Sequence, residues 1–208
     1  AGKGEQIAAL SAKQVMDAYH HWLPGGSMVI AGCGDLSAEA VMAMLEKSLQ
    51  GFEVGKKPRS FASDAIQPVL SASRTTIPMD RQQVHMAVAM PGPGWTSPDR
   101  FAVDVMCNIL GGTGGRMFAN LRDRDGLAYS VAPILSYGRN RGLLGAYIAC
   151  SPDKVEAAEA GIWSELEAMA SEGPTAAELA RAKSYIKGAH VMDLQSSESL
   201  ASTMALMK

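Results

Sequence analysis

The sequence has little of what marks a specialised surface. Across 208 residues the formal charge is only −2, and charged residues make up 19%. Lysines and arginines are scattered; the one adjacent pair, Lys56–Lys57, reads as part of a solvated loop. This balance offers no attraction to nucleic acid or to an anionic membrane surface. No apolar run approaches the roughly 18 residues of a membrane span. Cysteine is scarce. Cys33, Cys107 and Cys150 stand alone, without a C-x-x-C pairing. Each lies in an apolar run and is expected to be a small buried thiol rather than part of a disulfide framework.

Chemistry-bearing motifs are just as sparse. The histidines are His20, His21, His85 and His190. None forms H-x-x-x-H, H-E-x-x-H or H-x-x-E-H, so a metal site within this chain is not expected; His85, in an apolar run, reads as a satisfied core residue. No G-x-S-x-G elbow occurs, and no cysteine has a histidine beside it. The cluster GGTGG at 111–115 lacks the Lys-Ser/Thr of a P-loop and follows a helix rather than a strand, which speaks against nucleotide binding.

What is present is a well-filled globular pattern, with 47% hydrophobic residues. Apolar spacing predicts a helix over 11–22, stopped by Pro24 and Gly25–Gly26. A short buried strand is expected at 27–33. A second helix, capped by Ser37, should run to about residue 49, and a polar connection should follow over 51–68. Strands are expected near 69–77 and 83–90, the second largely apolar and therefore central. Ser97-Pro98-Asp99 and Ser151-Pro152-Asp153 each write a helix start, with a capping hydroxyl, proline at the first position and an acid at the positive end. These helices should reach about 110 and 171. Between them lie a short helix (114–123) and two strands, 129–138 and 142–149. A last helix starts at Thr175, where T-A-A-E is a capping box, and runs past Gly188 to the end of the chain. Strands in adjacent pairs with short turns favour antiparallel pairing. The expected fold is α+β, a largely antiparallel sheet with helices on one face, in a single domain over 1–208. The opening AGKGEQ lacks Met, and the chain reads as a fragment of a longer polypeptide.

One loop concentrates useful groups. Arg122 falls in the last turn of the short helix, Gly126 ends that helix, and Tyr129 opens the next strand. A guanidinium and a phenol both donate hydrogen bonds, and both suit a carbonyl or a developing oxyanion. The alternative is structural: Arg122 balances the helix end near Asp123 and Asp125 while Tyr129 packs.

The run LGGTGGRMFANLRDRDGLAYSV resembles a signature of the inverzincin peptidases, the family of pitrilysin, insulin-degrading enzyme, mitochondrial processing peptidase and bacterial relatives. Leu121, Arg122, Leu127, Tyr129 and Val131 fit the pattern L-R-x-x-x-x-L-x-Y-x-V. HHWLPGGSMVIAGCGDLS and TAAELARAKSYIKGAHVMDLQSSESLA are similar to the flanking elements in the right order. One departure is Gly115, where relatives often carry serine before the arginine. The resemblance implies a zinc-free half-domain that lacks the H-x-x-E-H ligands and binds no cofactor itself. It implies a zinc-bearing homologous partner half, in the same polypeptide or a separate subunit, and a peptide substrate. Arg122 would hold a substrate carbonyl, and Tyr129 would donate to the scissile carbonyl oxygen as an oxyanion forms. It also admits a non-catalytic relative, like the core proteins of a respiratory complex. Self-association through the exposed partner-facing surface is a further expectation, and a soluble bacterial protein of cytoplasm or periplasm is the expected setting.

Overall fold

Strict alternation builds the first strand, β1 (Val84–Pro93). Val84, Met86, Val88 and Met90 are half-buried, while His85, Ala87 and Ala89 are exposed. The computed structural model describes residues 3–22, 28–52 and 71–207. In it, β1 pairs antiparallel with β3 (Arg141–Cys150), and β3 pairs antiparallel with β2 (Ser130–Tyr137). The sheet order is β1-β3-β2. The strand expected to be central, β1, therefore pairs only with β3 among the described residues, and β3 takes the middle. In β3, Ala146, Ile148 and Cys150 are buried on one face and Ala149 on the other, while both edges of the strand are hydrogen-bonded to neighbours.

Two compact units divide the described chain, one formed by residues 1–62 with 190–208 and the other by residues 63–189. The first holds α1 (Gly4–Ala8), α2 (Ala12–Trp22), α3 (Ala38–Ser48), the end of α6 (Ala176–Asp193), and α7 (Ser197–Leu206). Local chemistry writes these starts. The Ser37 hydroxyl accepts from Ala40 N–H at 3.2 Å, and Ser11 and Gln14 cap reciprocally, Ser11 N–H donating to Oε1 at 2.8 Å. No described residue of this unit is buried.

The second unit carries the core. One face of the sheet (Val131, Ala146, Ile148, Cys150) packs against Ile109 and Leu110 of α4 (Arg100–Leu110) and Ala158, Ile162 and Met169 of α5 (Val155–Ser171). Met117, Leu121 and Ala182 complete this core. The other face has no helical cover among the described residues. α6 begins at the expected capping box: Thr175 N–H donates to Glu178 Oε2 at 2.8 Å, and Glu178 N–H donates to Thr175 Oγ1 at 3.2 Å.

Several expectations need correction. Residues 28–33 and 71–77 form no strand, because an extended run becomes one only where a second strand supplies its hydrogen bonds. Residues 27 and 69–70, the connection over 53–68, and the stop at Pro24–Gly26 lie outside the described residues. The helix after Ser97 starts two positions late, at Arg100, because the Ser97 hydroxyl accepts from Asp99 N–H (3.2 Å) in a turn. The other serine-proline start opens with a single 3₁₀ turn, Pro152–Lys154. The last helix breaks at 194–196, and Ser196 caps α7 afresh by accepting from Ser199 N–H at 3.3 Å. Cys107 and Cys150 are buried as expected, but Cys33 is exposed.

Candidate functional site

The site is built where α4 hands the chain to β2. After Leu110 the glycine cluster turns the chain, and a new helix begins at Arg116. It widens at once into π-type bonding over Phe118–Arg124, with Asp125 N–H donating to Asn120 C=O at 3.0 Å. Single widened turns of this kind recur at functional sites. Leu121, 2% exposed, is the anchor. Its carbonyl accepts from both Leu127 N–H (2.7 Å) and Ala128 N–H (3.2 Å), which folds the chain back toward β2. Gly126 makes that fold-back possible at φ +61, a conformation other residues rarely adopt. Tyr129 N–H then donates to Ala149 C=O at 2.8 Å and docks the loop onto the central strand.

Arg122 and Tyr129 flank this turn, and both are exposed. The Arg122 guanidinium lies over the Phe118 ring, 4.6 Å from its centroid. That contact ties the guanidinium to the ring, and no hydrogen bond or ion pair to another described residue competes for its donors. Tyr129 is 59% exposed, so it does not pack as the structural alternative required. Its hydroxyl has no partner among the described residues. Asp125 is taken by Arg124 (2.7 Å), not by Arg122.

Behind the loop lies a polar cleft of about 420 Å³. Arg116 spans it, donating through Nε and Nη2 to the two carboxylate oxygens of Glu178 at 2.6 and 2.8 Å, and through Nη2 to Gly173 C=O at 2.9 Å. The guanidinium holds the Glu178 carboxyl well below its ordinary range, at about 2. Glu165, 8% exposed, accepts from Asn120 Nδ2 at 2.6 Å and so ties α5 to the widened turn. Arg116 is thus a clamp within the fold. Burial pushes the Cys107 thiol up to about 11, which makes it a poor nucleophile at neutral pH. Among the described residues no group of three or more His, Cys, Asp or Glu could hold a metal ion. No described helix is long and apolar enough to cross a membrane.

His85 is not in the core. It stands exposed on the open face of the sheet, with Nδ1 2.7 Å from the Tyr147 hydroxyl. The period-two alternation V-H-M-A-V-A-M carries this signal, since it puts His85 opposite to Val84 and Met86. Tyr147 had no signal of its own; only the strand register brings it to His85.

Among the described residues, an antiparallel three-stranded sheet with one helical layer and a glycine turn into a widened helix define an α+β domain. Residues 9–186 match the family described as the Peptidase M16 inactive domain, and the chain belongs to that family. It is similar to an uncharacterized zinc protease of Mycobacterium tuberculosis, 27% identical over 207 residues, which span 98% of this chain and 47% of that protein. It is also similar to human cytochrome b-c1 complex subunit 1, mitochondrial, 28% identical over 211 residues, spanning 93% of this chain and 42% of the relative. The crystal structure of a protease from Helicobacter pylori shares the fold with a TM-score of 0.83 at 19% identity, covering 98% of this chain and 50% of that one. The chain spans about half the length of the curated relatives it matches. The family expectation and the α+β fold expectation are both borne out.

Proposed function

We propose that this chain is the zinc-free half of a zinc-dependent peptidase and supplies Arg122 and Tyr129 to a zinc-bearing partner half. The observation that carries this reading is the turn itself. It is anchored by buried Leu121, it exposes both side chains, and it leaves the Tyr129 hydroxyl without a partner among the described residues. A buried leucine, a double acceptor carbonyl and a left-handed glycine are a costly way to display one phenol without a partner among the described residues and one guanidinium that meets only a ring face there. Tyr129 donates its O–H to the scissile carbonyl oxygen as negative charge develops there. Arg122, stacked on Phe118, donates to a neighbouring substrate carbonyl and fixes the peptide's register. The described residues do not fit a zinc site, so activation of water falls to the partner half.

The test is Tyr129→Phe in this chain assembled with its zinc-bearing half. Loss of one such donor costs about 10²–10³ in turnover. Unchanged turnover with unchanged assembly would refute the catalytic role. That result would favour the second reading, a non-catalytic assembly subunit, which rests on the similarity to cytochrome b-c1 complex subunit 1.

A further inference from the structure

His85 and Tyr147 stand on the face of the sheet that no described helix covers, and the strand register places His85 across β3 from Ser130, the residue that follows Tyr129. His85 pairs with Ala149, and Ala149 pairs with Ser130 on its other side. Tyr129 N–H is bonded to the carbonyl of that same Ala149. Tyr147 lies two residues back along β3, diagonal to His85 on the same face, between Ala87 and Ala132. Two strand spacings separate β1 from β2, or about 10 Å, which an extended peptide covers in roughly three residues.

The chemistry of the pair is specific. One proton is shared between Nδ1 and the phenol oxygen at 2.7 Å. If the phenol donates, Nε2 carries a hydrogen outward and the phenol oxygen keeps a free lone pair. If Nδ1 donates, the phenol hydrogen is released outward and Nε2 becomes the acceptor. Either way the neutral pair shows one donor and one acceptor to the outside. That set complements an amide, which has one C=O and one N–H. The flanking residues Ala87 and Ala132 are small and exposed, so a main chain can approach.

We infer that His85 and Tyr147 form a substrate subsite that hydrogen-bonds a peptide group about three residues from the one held at Tyr129. This rests on the peptidase-half reading and names a specificity element for it. The pair adds register to the grip: with Arg122 and Tyr129 at one end and the dyad at the other, a peptide is held at two points across the strands.

The test uses the 208-residue chain and an end-capped, uncharged alanine–threonine octapeptide. Imidazole ¹⁵N–¹H resonances are followed during titration to ~1 mM, and affinities are compared for His85→Phe and Tyr147→Phe. The expected result is a shift of the His85 Nε2 signal and a roughly tenfold loss of affinity in each variant, the size of one hydrogen bond. No His85 shift at that concentration, or affinity unchanged in both variants, overturns the subsite. A role confined to sheet stability would lower the unfolding midpoint and leave affinity alone, which also overturns it. The Tyr129→Phe turnover assay is scored separately. Peptide binding without a His85 response removes the subsite and leaves the oxyanion reading. A His85 response with normal Tyr129→Phe turnover does the reverse.

Discussion

Replacing Glu178 with Gln should unfasten the clamp behind the Arg122 turn. Glu178 accepts from Arg116 twice, at 2.6 and 2.8 Å, and its Oε2 also accepts from Thr175 N–H and Thr175 Oγ1, both at 2.8 Å. Every one of those partners is a donor. Glutamine turns one acceptor oxygen into an NH₂, so a donor must face a donor, and the Arg116 charge loses its counterion. The carboxyl's folded value of about 2 lies below its ordinary 4.5. At 1.36 kcal/mol per unit this shift corresponds to ~3 kcal/mol. The pair borders an open cleft, and screening by solvent lowers the expected loss to ~2 kcal/mol. The assay is urea unfolding of wild type and Glu178→Gln across pH. Because the folded value is depressed, the stabilisation is fully present above 4.5 and drains away as pH falls toward about 2. The gap between the two proteins should therefore be widest at neutral pH and narrow progressively below pH ~4.5. Equal stability at pH 7, or a gap of constant size across that window, would refute the reasoning.

Other outcomes follow from the same geometry. A Cβ at Gly161 would sit 2.6 Å from Leu121 Cδ2, so Gly161→Ala should overpack the anchor of the turn and cost ~1–3 kcal/mol in denaturant unfolding. Gly126→Ala forces a side chain into φ +61; a loss of ~1 kcal/mol is expected, with a larger fall in turnover of the assembled enzyme than in stability. Under native conditions a thiol reagent should modify Cys33 quickly. Cys107, buried with its thiol held near 11, should react only on unfolding, as mass spectrometry of labelled peptides would read.

Much of this protein was written in local sequence. Ser37 and the Thr175–Glu178 box cap the helices they were expected to cap, since a cap is a contact between residues three apart. The glycine turn, the helix after it and the antiparallel β2–β3 hairpin follow from short-range patterns too. The run from Leu121 to Val131 carried the family resemblance, and the match over residues 9–186 bears it out. Other features needed the folded chain. Whether 28–33 or 71–77 becomes a strand depends on a partner far away in sequence, and no local pattern supplies one. The middle place of β3 is a matter of pairing order, which periodicity along β1 does not encode. Arg116 meets Glu178 across 62 positions, and His85 meets Tyr147 across 62. Sequence alone determined which residues could donate, cap and turn. Tertiary structure decided which of them meet, because a hydrogen bond is fixed by a few ångströms of space rather than by distance along the chain.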